Sequence, residues 1–232
     1  MGPSLTCMGD MVEFASNGGT APGYLARPAT GSGPGLVVIQ EWWGLNDHIK
    51  DVADRFAAEG FVALAPDLYH GKVIEEPDEA GKEMMALDLG RAARDLSGAV
   101  DLLRAESGQD KIGVTGFCMG GGLTLTLACQ RPDAVAVAVP WYGVIPWENA
   151  QPEWSALEGT VVAHIAGNDG MFGPEAAAEL DAELQGLGKN ATFHVYENGE
   201  HAFFNDTRPE VYSAEHSTTA WQRTLDALGS LK

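Results

Sequence analysis

Short blocks of apolar residues recur along the chain, and their period switches back and forth between two and about 3.6. The runs "MVEFAS" (11–16) and "GYLARP" (23–28) flank Asn17-Gly18-Gly19, a pattern that predicts an N-terminal hairpin. "GLVVIQ" (35–40) is a continuous apolar run, as expected of a strand buried on both faces. After it, Asn46 or Asp47 can cap a helix whose apolar positions Ile49, Val52, Ala53, Phe56 and Ala57 keep helical spacing. Gly60 ends that helix and "FVALAP" (61–66) reads as the next strand. Residues 67–82 read as a loop, and residues 84–105 as one long helix with Leu87, Ala92, Leu96, Val100 and Leu103 inward. There follow a strand "KIGVTGF" (111–117), a helix from Met119, a strand "AVAVAVPWYG" (134–143) and an irregular segment rich in Pro and Trp. The chain then gives a strand "TVVAHIAG" (160–167), a helix over about 173–187, a strand "ATFHVYE" (191–197) and a last helix over about 209–228.

Strands that alternate with helices predict an α/β protein with a mostly parallel central sheet and helices on both faces, the hairpin standing apart at the N-terminus. The 232 residues suffice for one large core, and "PATGSGPG" (28–35) is too short to join independent domains. A single domain over residues 1–232 is expected, with residues 1–10 as a disordered or added extension; Met8 and Met11 are alternative starts.

Charge narrows the partners. Thirty-three acidic residues against 14 basic give a net charge of −19, whereas nucleic acid and anionic membranes both require a basic face. No apolar run approaches the roughly 20 residues of a spanning helix, and the start lacks the charged and apolar regions of a secretory signal. Three cysteines, Cys7, Cys118 and Cys129, form no disulfide framework and point to a reducing compartment, so a cytoplasmic protein, monomeric or a small homo-oligomer, is expected.

In a parallel sheet the active site lies beyond the carboxyl ends of the strands. Four chemically capable groups occupy such ends: Glu41 after "GLVVIQ", Cys118 after "KIGVTGF", Asp169 after "TVVAHIAG", and His201 after "ATFHVYE". Gly116-Phe117-Cys118-Met119-Gly120 is G-x-C-x-G, the pattern of a nucleophile on a strained strand-to-helix turn, with sulfur in place of the commoner oxygen. A helix N-terminus there favours negative charge. The order Cys118, Asp169, His201 is that of nucleophile, acid and base in α/β-hydrolases. His201 would take the thiol proton and later activate water, Asp169 would orient and charge-balance the imidazole, and the backbone N–H groups of Trp42 and Met119 would form an oxyanion hole. Plainer readings apply to other residues: Cys129 as packing, His164 and His194 as strand residues, Gly120 to Gly122 as close helix–sheet packing. No C-x-x-C or H-x-x-x-H spacing suggests a redox pair or a zinc site.

The segments "QEWWGLNDHIKDVADRFAAEGFVALAPDLYHG", "GFCMGGG", "GNDGMFGPE" and "GEHAFFNDTRP" resemble the dienelactone hydrolase (carboxymethylenebutenolidase) family, from about Val12 to the end of the sequence. The resemblance implies a single α/β-hydrolase domain without a large lid, and hydrolysis of an ester or lactone through an acyl-cysteine, without metal or organic cofactor. It carries Cys118, Asp169 and His201 over as the triad and Glu41 as the family's extra glutamate beside the nucleophile. It also implies two arginines that hold a substrate carboxylate. Here Asn205 stands four residues after His201, and residues 70–83 hold Lys72 and Lys82 but no arginine. Arg208 or Lys72 is then the candidate substitute, and Trp42, Trp43, Tyr69, Trp141, Tyr142, Phe172 and Phe203 are candidates for an aromatic pocket wall. The expected partner is a small ester or lactone, with dienelactone as the substrate implied by resemblance and a neutral ester as the alternative. The readings of other classes are a non-catalytic small-molecule-binding protein on the same fold and a thiol protein that handles peroxide or disulfide.

Overall fold

The structure is a computed structural model; it describes residues 9–16, 18–143, 145–147 and 150–232. Two compact units make up the chain, the first ending at Ile112 and the second beginning at Gly113.

The first unit is built on β1 (Asp10–Ser16), β2 (Gly19–Ala26), β3 (Gly35–Ile39) and β4 (Val62–Pro66), in the order β1-β2-β4-β3. β1 and β2 form the expected antiparallel hairpin, with Ser16 opposite Gly19 and Gly18 at φ 86° in the turn. β2 runs antiparallel to β4, and β3 parallel to β4. β3 and β4 are buried at every residue, which is why they read as unbroken apolar runs. Helix α1 (Asp47–Ala58) begins where Asn46 Oδ1 accepts the Ile49 N–H, and buries Ile49, Val52, Ala53, Phe56 and Ala57.

Three expectations for this unit need correction. The segment 67–82 is not all loop: α2 (Pro77–Met85) starts with Pro77 in its first turn and carries Asp78 and Glu79 at its positive end. The long helix does not begin at 84 but is a separate α3 (Leu89–Ser107), because Asp88 caps it by accepting the Arg91 N–H at 2.9 Å. An extension over residues 1–10 is too long by two, since Asp10 opens β1 and the Gly9 N–H donates to Tyr24 Oη at 2.7 Å and to Asp54 Oδ1 at 3.1 Å. The rest of that extension, with Cys7, lies outside the described residues.

The second unit holds β5 (Ile112–Phe117), α4 (Met119–Gln130), β6 (Val135–Trp141), β7 (Thr160–Ala166), α5 (Pro174–Gly186), β8 (Ala191–Tyr196) and α6 (Ala214–Leu228). Its strands lie in the order β5-β6-β7-β8, with β6, β7 and β8 parallel. α4 packs on β6, α5 on β7 and β8, and α6 on β6 and β7. α6 starts later than expected, because Ser213 supplies its cap and residues 209–211 belong to a turn. Among the described residues no helix is long and apolar enough to cross a membrane.

One buried polar knot ties α6 to β7 and β8. His164 is completely buried, with Nδ1 2.9 Å from Tyr196 Oη and Nε2 2.8 Å from Thr224 Oγ1. Burial holds its pKa well below the usual imidazole value, and the charges of His194 and Arg223 push the same way, so the ring is neutral. Arg223 donates to the Tyr196 oxygen at 3.2 Å, which directs the phenol proton to Nδ1 and assigns the ring proton to Nε2, donated to Thr224. Thr224→Val keeps the volume but leaves that N–H unpaired. We expect a loss of about 1–3 kcal/mol in urea unfolding at an unchanged m-value; no loss would mean that the ring is satisfied elsewhere.

Candidate active site

Backbone geometry places Cys118. β5 ends at Phe117 and α4 begins at Met119, so Cys118 makes the whole turn, at φ 55° and ψ −118°. That conformation is costly for a residue with a Cβ and persists because its neighbours fix it. The Cys118 N–H donates to Trp141 O at 3.0 Å, and Cys118 O accepts from Gly121 N at 2.9 Å and Gly122 N at 3.2 Å. A Cβ at Gly116 would collide with Gly120 O, and one at Gly121 would lie 2.7 Å from both Trp141 O and Gly143 Cα. Cys118 itself is only 3% exposed, at the positive end of α4.

Asp169 and His201 come from the loops after β7 and β8. Asp169 follows β7, and its side chain is 1% exposed. Its Oδ1 accepts the Met171 N–H at 2.9 Å and the Phe172 N–H at 3.3 Å, and its Oδ2 takes the Nδ1 proton of His201 at 2.6 Å. The two loops are stitched together directly: Asn168 N donates to Gly199 O and Asn168 Nδ2 to Glu200 Oε1, both at 2.9 Å. The other ring nitrogen, His201 Nε2, is buried. The Cys118 sulfur lies in electrostatic reach of that ring. Hydrogen bonds of this kind often form fully only when substrate is bound.

Electrostatics agree with the geometry. Burial alone would lower the His201 pKa, but the hydrogen bond to Asp169 and the interaction with the Cys118 sulfur outweigh it, and the value rises to about 10. Burial alone would raise Asp169, yet the His201 hydrogen bond, its charge and the Met171 and Phe172 N–H groups hold the carboxyl below its usual range. These are two views of one ion pair. Its contribution to stability is complete above about pH 3.8 and below about pH 6.5, is lost as pH falls through the depressed Asp169 value, and is lost as pH rises through about 10.

The aromatic candidates separate into two groups. Trp141, Tyr142 and Phe203 are fully buried in the second unit and pack around Phe117 and His201, while Phe172 is half-buried and contributes its N–H to Asp169. Trp42, Trp43 and Tyr69 belong to the first unit. There the two tryptophan rings meet edge to face at 5.1 Å, Trp43 O accepts from Ile74 N at 2.9 Å, and Tyr69 is 3% exposed. Glu41 is buried at the end of β3 in the same unit. Met119 opens α4, so its N–H belongs to the helix's outward-pointing first turn. Arg208 Nε donates to Glu210 Oε1 at 2.9 Å, and Asn205 is buried with its Oδ1 accepting from Thr207 N and Oγ1 at 3.1 and 2.7 Å. Lys72 Nζ pairs with Glu83 Oε1 at 2.8 Å. Sequence reasoning did not find Trp141 O, Met171 N or Asn168 as supports, since backbone acceptors and donors leave no residue-type signal.

Residues 21–231 match the model of the dienelactone hydrolase family. The chain belongs to that family. Against "Protein usf" of Aquifex pyrophilus it is 36% identical over 226 residues, covering 94% of this chain and 96% of the relative. Against a protein of Aquifex aeolicus named "Putative carboxymethylenebutenolidase" it is 32% identical over 227 residues, covering 94% and 97%. A crystal structure titled "Putative Dienelactone Hydrolase", from Klebsiella pneumoniae, superposes with a TM-score of 0.86 at 28% identity, covering 95% of this chain and 98% of the other. This dienelactone hydrolase family member is a carboxylic ester or lactone hydrolase with an α/β-hydrolase fold.

Asp169→Asn removes the charge that holds the His201 proton. The His201 pKa should fall well below about 10 in an NMR titration, and kcat should drop by about 10⁴-fold, as when a triad carboxylate becomes an amide. An unchanged titration would show that another group sets the imidazole's charge.

Proposed function

We propose that this family member hydrolyses small esters or lactones through a thioester on Cys118. The observation that carries the reading is the 2.6 Å hydrogen bond from His201 Nδ1 to Asp169 Oδ2, with the second ring nitrogen buried and the Cys118 sulfur in reach. In the first half-reaction the Cys118 sulfur, its proton resting on the His201 imidazole whose pKa is raised to about 10, attacks the acyl carbon as the thiolate. The tetrahedral oxyanion is held by the Met119 N–H at the start of α4, and collapses as the C–O bond breaks and His201 protonates the leaving oxygen. In the second, His201 takes a proton from water, hydroxide adds to the thioester, and the thiolate leaves beside the imidazole that now carries that proton.

Enol-lactones of aromatic breakdown are the substrates that the family suggests, and a neutral ester is the second reading. The neutral reading draws support from two ion pairs, Arg208 with Glu210 and Lys72 with Glu83, which already engage the cations nominated for a substrate carboxylate. The protein acts as one catalytic domain in a reducing, cytoplasmic setting, consistent with its odd cysteine count.

Hydrolysis of dienelactone and of a short nitrophenyl ester should be compared in wild type and Cys118→Ala, with intact-mass detection of the acyl-enzyme. We expect an adduct on wild type and turnover lost in the variant. Turnover retained in Cys118→Ala would remove the nucleophile from the mechanism. Ligand binding without turnover in wild type would favour the non-catalytic reading.

A further inference from the structure

Tyr142 holds a backbone conformation that its own chemistry disfavours. It lies just beyond β6 at φ 37°, in the left-handed region where a bulky aromatic residue is a genuine outlier. Neither a turn signal nor a glycine explains this, and the neighbours do. The residue before it, Trp141, accepts the Cys118 N–H at 3.0 Å. Tyr142's own N–H donates to His164 O at 2.7 Å. The residue after it, Gly143, abuts Gly121 so closely that a Cβ there would come within 2.7 Å of Gly121 C. Three successive residues are thus fastened to the nucleophile turn, to β7 and to the first turn of α4.

With the backbone fixed, the ring has one place to go. It lies between Phe117, at 6.2 Å and 48°, Phe203, at 5.4 Å and 71°, and the imidazole of His201, at 5.2 Å and 60°. Phe117 is the residue before the nucleophile, and Phe203 is two residues after the base. The ring therefore bridges the two halves of the chemistry. It is 0% exposed, so it presents no surface to a substrate and does not act as a pocket wall in this conformation. A centroid within about 6 Å of a cationic ring is also close enough for the π-face to favour the imidazolium.

We propose that Tyr142 is a positioning residue: its strained backbone presses the ring against His201, fixing the imidazole plane relative to Cys118 and keeping water from the His201–Asp169 pair. The proposal rests on the reading of His201 as base and Cys118 as nucleophile.

The test compares Tyr142→Phe, which keeps the ring, with Tyr142→Leu and Tyr142→Asn, which remove it; Asn also tolerates positive φ. Nitrophenyl ester kinetics, urea unfolding and an NMR titration of His201 are read on each. Loss of the ring should lower kcat by about 10²-fold with little change in KM, the scale of a small misplacement of reacting groups. It should also move the His201 titration towards that of an ordinary solvent-exposed imidazole. Tyr142→Phe should restore both. A raised KM at wild-type kcat would make Tyr142 a substrate contact and overturn the proposal, as would a Phe variant as impaired as Leu, since the hydroxyl would then matter. Unfolding of both ring-less variants beside a wild-type-like Phe variant would assign the ring to the core alone, and would also overturn it. The titration separates this proposal from the mechanism. If Cys118→Ala keeps its activity while the ring-less variants still shift His201, the mechanism fails and the positioning stands.

Discussion

Everything chemical in the second unit hangs on one steric constraint, the close approach of β5, the first turn of α4 and the end of β6. Cys118 adopts φ 55° because Gly116 and Gly121 admit no side chain between these segments and because Trp141 O accepts the Cys118 N–H. The same contact forces Tyr142 into its own left-handed conformation one residue beyond Trp141. Strain at Cys118 and strain beside His201 have one cause and are sustained by the same few backbone contacts. Glycine supplies the approach and the hydrogen bonds supply the direction, so the sulfur points out of the chain without help from its own side-chain chemistry.

The second determinant is electrostatic and local. A carboxylate that accepts two backbone N–H groups on one oxygen and an imidazole N–H on the other is fully satisfied although nearly buried. Such a carboxylate stays ionised, and its charge keeps the imidazole protonated close to the Cys118 sulfur. The far field works in the other direction: a chain of net charge −19 repels anions at distance, so an anionic substrate reaching this site must find its compensation in the last few ångströms.

Which parts were legible in the sequence follows from how local each cause is. G-x-C-x-G was legible because the glycines that permit the turn lie within two residues of Cys118. Asp169 and His201 could be nominated because each lies in the short loop that follows an apolar run. α2 was missed because Gly81 and the charges around it hide a short helix whose strongest signal, Pro77 ahead of two acids, also suits a loop. The break before α3 was missed because Asp88 interrupts a helical period that continues on both sides of it. Tyr142 looked like one more aromatic wall. Its placement is imposed by Trp141, His164 and Gly121, which are set by tertiary contact and leave no mark on the residues next to it.

The knot at His164 bears on the order in which the protein is made. The imidazole belongs to β7, but the hydroxyl that receives its proton belongs to Thr224, 60 residues further on. At about 5–20 residues per second, a ribosome takes about 3 to 12 seconds to cover that distance. Throughout that interval the interior face of β7 carries a polar ring with one partner still unmade, and water must serve instead. The second unit therefore cannot close a dry core strand by strand as it emerges. Its final packing waits for α6, and the nascent chain keeps its hydrophobic sheet partly wet, and open to chaperones, until that helix arrives.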